Sequence, residues 1–110
     1  MSSRKLESKF QRSVIKELEE KFDGCMVFKL DPEDRQGVPD LLVLYKKKWA
    51  ALECKRSSKA KKQPNQEHYV SKMDKMSFSR FISPENKEEV LDDLQQTFRP
   101  RRTTRVSGSK

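Results

Sequence analysis

With 110 residues, 33% hydrophobic and 38% charged, the chain can build one small domain around a thin core. No stretch approaches the roughly 20 apolar residues of a membrane span, and the N-terminus, MSSRKLESKF, lacks the apolar segment of a signal peptide. The expectation is a soluble intracellular protein without membrane contact: cytoplasmic or nucleoid-associated, or in the host cytoplasm if phage-encoded. Net charge is +8, and five of the cations crowd into the last twelve residues, RPRRTTRVSGSK, leaving +3 on residues 1–98. A second basic stretch holds Lys46, Lys47, Lys48, Lys55, Arg56, Lys59, Lys61 and Lys62 against Glu53 alone. Clusters of this kind point to a polyanion, most simply nucleic acid.

In chain order, Leu6, Phe10, Val14, Leu18 and Phe22 recur every four residues, with Ile15 widening the stripe, and predict an amphipathic helix over 4–22. Ser2 or Ser3 can cap its start, and Asp23-Gly24 ends it. CMVFKL, 25–30, predicts a strand with Met26, Phe28 and Leu30 on one side. DPEDRQGVP reads as an exposed loop. DLLVLY and WAALECKR predict two strands joined at the lysines; both faces of this hairpin are apolar, so helices should cover the sheet on both sides. Cys25 and Cys54 fall inside strands and read as buried thiols, and a single histidine excludes a zinc cluster. Pro64 suits the first turn of a helix reaching Met76, with Gln66, Tyr69, Val70, Met73 and Met76 as its stripe. Here Tyr69 reads as core and His68 as a surface or phosphate-contacting residue. FSRFI, 78–82, is a short strand. Ser83-Pro84-Glu85 is a helix start, and Val90, Leu91, Leu94 and Phe98 form that helix's apolar face. The predicted class is α/β, in the order αβββαβα, with a mixed four-stranded sheet between helices. Residues 1–98 form the domain and 99–110 a disordered basic tail.

The apolar runs 41–45 and 49–52 are bounded by charge: Asp40 opens the first, and Glu53 and Lys55 close the second. If Asp40 lies opposite Glu53, Leu42 faces Ala51 and Leu44 faces Trp49, which requires a two- or four-residue loop. Opposed Cβ atoms are ~5 Å apart. Two carboxylates so placed persist if one is protonated or a cation lies between them. Magnesium is held by one or two carboxylates with water and phosphate, and the Cys54 backbone carbonyl is a further candidate ligand. Lys55, two residues from Glu53, points to the same side. It can orient or deprotonate a water, or stabilise a phosphate under attack, as phosphodiester hydrolysis requires. Glu7 occupies the end of the first helix's buried stripe, and Gln66 the matching place on the second.

GVPDLLVL followed by ALECK resembles the signature of the PD-(D/E)xK nuclease superfamily. Within it, the helix glutamate, Gly-x-Pro-Asp-Leu, Glu-x-Lys and following helix glutamine are most similar to VRR-NUC (virus-type replication-repair nuclease) domains and the archaeal Holliday-junction resolvases. The match spans residues 4–98. The resemblance implies a restriction-endonuclease-like fold and Mg²⁺- or Mn²⁺-dependent DNA cleavage. Asp40 and Glu53 become metal ligands, Lys55 the water-activating or phosphate-stabilising group, Glu7 an additional metal-site acid and Gln66 the helix glutamine. RSSKAKKQPNQ lacks the glycine often found beyond the family's lysine, which leaves Gln63 as a rival to Gln66.

The expected function is therefore a metal-dependent DNA endonuclease acting as a homodimer on branched or site-specific duplex DNA. Arg35, Lys46, Lys47, Lys48, Arg56, Lys59, Lys61, Lys62, Arg99, Arg101 and Arg102 are the expected DNA contacts. The alternative is a non-catalytic nucleic-acid-binding module on the same fold. An RNA-binding protein is a third reading, for which the sequence offers no aromatic-rich stacking surface.

Overall fold

The four-residue recurrence of Phe10, Val14 and Leu18 becomes the inner face of α1 (Ser3–Lys21) in a computed structural model that describes residues 3–31 and 33–100, with side chains from Leu6 onward. Then follow β1 (Met26–Lys29), β2 (Leu41–Tyr45), β3 (Lys48–Cys54), α2 (Pro64–Met76), β4 (Ser79–Ile82) and α3 (Lys87–Phe98). The strands form one mixed sheet in the order β1-β2-β3-β4, antiparallel except for the parallel pair β3-β4. This is a small α/β domain with the predicted element order. Among the described residues, no helix is long and apolar enough to cross a membrane.

Leu41, Val43 and Tyr45 alternate with Leu42 and Leu44 along β2, so the first set shares a face. That face meets α1 and α3, and Val14, Leu18, Phe22, Leu52, Ile82, Leu91 and Leu94 complete the core. Phe22, Tyr45 and Phe98 close one end of it, with ring centroids 5.2–5.5 Å apart. Lys87 of α3 pairs with Glu17 of α1, tying the two helices on this side.

The opposite face is only partly covered. α2 lies over β3 and β4, whereas Met26 (55% exposed), Phe28 (43%) and Leu44 (36%) face outward on β1 and β2. Helical cover of both faces therefore holds for half the sheet. On β1 the core-facing side is Val27, not Met26 and Phe28. Leu6 and Met76 are likewise exposed despite lying on the predicted stripes. Both cysteines are free, but only Cys54 is buried; Cys25 precedes β1 and is half-buried.

Register follows the predicted pairing. Leu42 faces Ala51, Leu44 faces Trp49 and Tyr45 faces Lys48, leaving a two-residue turn at Lys46-Lys47. Lys46 adopts φ 57°, a left-handed conformation in a residue with a Cβ. Lys46→Gly should stabilise the domain by about 1 kcal/mol in urea melts, and an unchanged or lower midpoint would count against a strained turn.

α3 begins three residues later than Ser83-Pro84-Glu85 suggests. Asn86 folds back instead: its Oδ1 accepts the Ser83 N–H (2.8 Å) and its Nδ2 donates to the Phe81 carbonyl (3.1 Å). Glu85 does not cap α3; its carboxylate accepts the Ser58 N–H at 3.0 Å, anchoring the connector that follows β3.

Candidate active site

The register that buries Leu41 against Leu52 brings Asp40 and Glu53 to the same end of neighbouring strands. Asp40 Oδ2 accepts the Cys54 N–H at 3.0 Å, which fixes its carboxylate against the end of β3. Glu53 is buried in the sheet face beneath α2, at 3% exposure. Lys55, 7% exposed, extends alongside, with Nζ 3.9 Å from Glu53 Oε2. Residues two apart at a strand end thus share one side, as alternation requires.

Gln66 joins the two groups. Its Nε2 donates to Glu53 Oε2 at 2.9 Å, while its Oε1 accepts from Lys55 Nζ at 2.7 Å. The same oxygen accepts the Gln63 N–H at 3.0 Å, so the first turn of α2 sets the orientation of the amide. Lys55 also donates to the Lys61 carbonyl at 3.1 Å. The glutamine that touches both Glu53 and Lys55 is Gln66; Gln63 contributes its backbone N–H at the helix start. The bridging role of Gln66 is not visible in the sequence, because it depends on how α2 is rotated over β3.

Burial, and then the neighbouring Asp40 charge, push the Glu53 carboxyl up to about 8. Asp40 is raised too, mainly by burial, against the lowering effects of the Cys54 N–H and Lys55. Glu7 on α1 is half-buried and raised by burial and then by Asp40, with Lys55 and Arg56 opposing. Glu7 thus senses the charges of the site. The three acids and one ammonium form a single electrostatic unit at one end of the sheet.

Glu53 Oε1 is buried and has no hydrogen-bond partner among the described residues. An orphaned carboxylate oxygen beside a second carboxylate suits a hard divalent cation. Among the described residues, no three His, Cys, Asp or Glu side chains form a group that could hold a metal ion by themselves. Glu7 is therefore not gathered with Asp40 and Glu53 into a ready-made cage. Two carboxylates supplemented by backbone oxygen, water and substrate phosphate are the set usual for magnesium, and the donors at this strand end fit it.

Gly37 holds the loop against this site. It has φ 94°, and a Cβ there would lie 2.4 Å from the Asn65 Cβ in the first turn of α2. Two residues on, Pro39 is fully buried. A cleft of about 420 Å³ opens between Gln36-Gly37 and Gln63–Gln66, directly beside the bridging glutamine. Gly37→Ala should cost about 1–3 kcal/mol, read from chemical denaturation, and a neutral result would mean the loop can move away from α2.

The predicted cationic contacts divide between the two ends of the sheet. Arg56, Lys59, Lys61 and Lys62 are exposed on the connector after β3, at the acidic end, and Arg35 is exposed on the loop before β2. Lys46, Lys47 and Lys48 lie at the hairpin turn. Glu53 lies five residue steps beyond Lys48 along β3, about 17 Å at 3.3–3.4 Å per step. Lys48 donates to the Thr97 carbonyl at 2.9 Å, at the C-terminus of α3, where Arg99 is the cap residue. The sheet thus removes Lys46, Lys47, Lys48 and Arg99 from the acidic end. Arg101 and Arg102, with the rest of 101–110, lie outside the described residues, as does Ser2.

Tyr69 also departs from its expected place. It is half-buried rather than core and lines a second cleft between α2 and residues 35–38. Trp49 is half-buried on the hairpin, packing rather than stacking free. Comparison with protein-family models, curated proteins and solved structures finds no match to this chain, so its function is read from the geometry of Asp40, Glu53, Lys55 and Gln66.

Proposed function

We propose that this chain is a divalent-cation-dependent DNA endonuclease with a restriction-endonuclease-like fold, of the PD-(D/E)xK type that its GVPD and ECK segments resemble. The observation that carries the proposal is the pairing of half-buried Asp40 with buried Glu53 at adjacent strand ends, with Lys55 held beside Glu53 by Gln66. A structural ion pair does not need two carboxylates, an ammonium and an orphaned buried oxygen at one strand end. Such an arrangement stores unfavourable electrostatics and is characteristic of sites that bind or react.

Asp40 and Glu53 are the proposed ligands of Mg²⁺ or Mn²⁺, with the Cys54 carbonyl as a backbone donor and Glu7 as an outer acid acting through water. The bound ion would polarise the scissile phosphate and lower the pKa of water. Asp40 is held ready by the Cys54 N–H. Glu53, whose carboxyl is raised by burial and then by Asp40, would serve as a ligand in its ionised form. Lys55 keeps its ammonium directed at the carboxylate pair through two acceptors, Gln66 Oε1 and Lys61 O. There it opposes negative charge growing on the phosphate during attack. Arg56, Lys59, Lys61 and Lys62 would track the DNA backbone, making affinity fall steeply with salt. One site cuts one strand, so cleavage of both strands calls for a homodimer.

The test is conversion of supercoiled plasmid and four-way-junction DNA with Mg²⁺ or Mn²⁺, alongside EDTA and Lys55→Ala controls. Cleavage that needs the cation and is lost in the variant supports the reading. Cleavage surviving both controls overturns it, and tight binding without cutting assigns the chain to non-catalytic DNA binding.

A further inference from the structure

We infer that the cleft between α2 and residues 35–38 binds an unpaired nucleotide, with its base inside and its phosphate on Arg35 and Lys72. The identity of the ligand as a DNA strand rests on the proposed nuclease reading; the chemistry of the cleft does not.

The cleft has a volume of about 430 Å³ and is walled by Tyr69, Met73, Met76 and Val38. Sites for small flat ligands span roughly 300–1,000 Å³ and are mostly apolar with a few polar groups. The ring of the neighbouring His68 stands edge-on to Tyr69 at 5.4 Å and 71°. Met76 is 64% exposed, an odd position for a thioether on a helix whose stripe should be buried. An aromatic face beside two adaptable thioethers accepts any base, because every base has a π-face.

Charge narrows the occupant. The charged side chains lining the cleft, among the described residues, are the cations Arg35 and Lys72; no carboxylate lines it. A flat apolar body carrying an anion matches this, and a nucleotide is such a body. A second copy packed by a twofold axis would bring Arg35 and Lys72 of both chains to one interface, where like charges repel.

Position makes the cleft useful. Tyr69 follows Gln66 by three residues, about 4.5 Å along α2. Gln66 touches both Glu53 and Lys55. A strand leaving the carboxylate pair across Gln66 therefore reaches Tyr69 within one helical turn. A base still paired in a duplex cannot enter, so the nucleotide must be unpaired or extruded.

The experiment uses the full chain in EDTA, so that no cleavage is needed. 2-Aminopurine is placed either as a single unpaired nucleotide at a duplex end or opposite thymine within the same duplex. The expected result is fluorescence quenching of the unpaired base and about 10-fold tighter binding of that oligonucleotide. Tyr69→Leu, which keeps apolar volume and removes the ring, and Arg35→Ala should each cut this preference ratio severalfold, with folding checked by thermal melts. Equal binding of both oligonucleotides overturns the inference, as does a ratio that survives both substitutions. So does a dimer, seen by light scattering, that Met76→Glu splits while Tyr69→Leu leaves the ratio intact, since the cleft is then a subunit interface. A ratio that collapses in Tyr69→Leu while the parent never cuts DNA with Mg²⁺ upholds the cleft and removes the nuclease. Cleavage without any preference does the reverse.

Discussion

Lys55→Ala should lower single-turnover cleavage of plasmid DNA by about 10²–10³-fold, the usual cost of removing one preorganised charge from a transition state. DNA affinity should change little, because Lys55 is 7% exposed whereas Arg56, Lys59, Lys61 and Lys62 are open to the backbone. A loss confined to the rate separates Lys55 from the exposed cations, whose removal weakens binding and its salt dependence. Lys55→Arg should rescue little. The ammonium fits between Gln66 Oε1 at 2.7 Å and Lys61 O at 3.1 Å, and a planar guanidinium cannot occupy that compact place. Gln66→Ala should fall between, since it frees both Lys55 and Glu53 without removing either. If Lys55→Ala reduced affinity and rate equally, Lys55 would be a binding residue only.

The acidic pair was legible because strand alternation is strict. Once Leu42 is opposite Ala51, Asp40 and Glu53 can only meet at the same end. The core faces of α1 and α3 follow from helical period in the same way. Other features depend on forces that no local pattern carries. Met26 and Phe28 alternate like core residues, yet α2 docks over β3 and β4 and leaves them outside. Ser83-Pro84-Glu85 has good helix-start chemistry, but Ser58 and the Asn86 turn claim those groups first. The lysines at 46–48 read as one patch with those at 55–62, although an antiparallel hairpin must send them to opposite ends of a strand. Gly37 did carry a signal, a glycine two residues before a buried proline, but its close approach to Asn65 exists only in three dimensions.

Without divalent cation, the protein should lose stability as pH rises from about 4.5 to about 8, and Glu53→Gln should flatten that loss. The Glu53 carboxyl is raised in the folded state to about 8, from 4.5 in the unfolded chain. Between those values the folded form holds a proton that the unfolded form has released, so stability falls with increasing pH. Below 4.5 both forms are protonated and nothing is lost; above 8 both are ionised and the loss is complete. At 1.36 kcal/mol per pH unit the whole effect is on the order of a few kcal/mol. Asp40→Asn should act in the same direction, because Asp40 is the second cause of the Glu53 shift and is itself raised. Magnesium near neutral pH should reverse the loss in the parent but not in Glu53→Gln, and its binding should release a proton. Calorimetric titrations in buffers of different ionisation enthalpy would detect that proton. Parallel pH-stability curves for the parent and Glu53→Gln would mean that Glu53 carries no raised carboxyl beside Asp40, and the proposed cation site would lose its electrostatic basis.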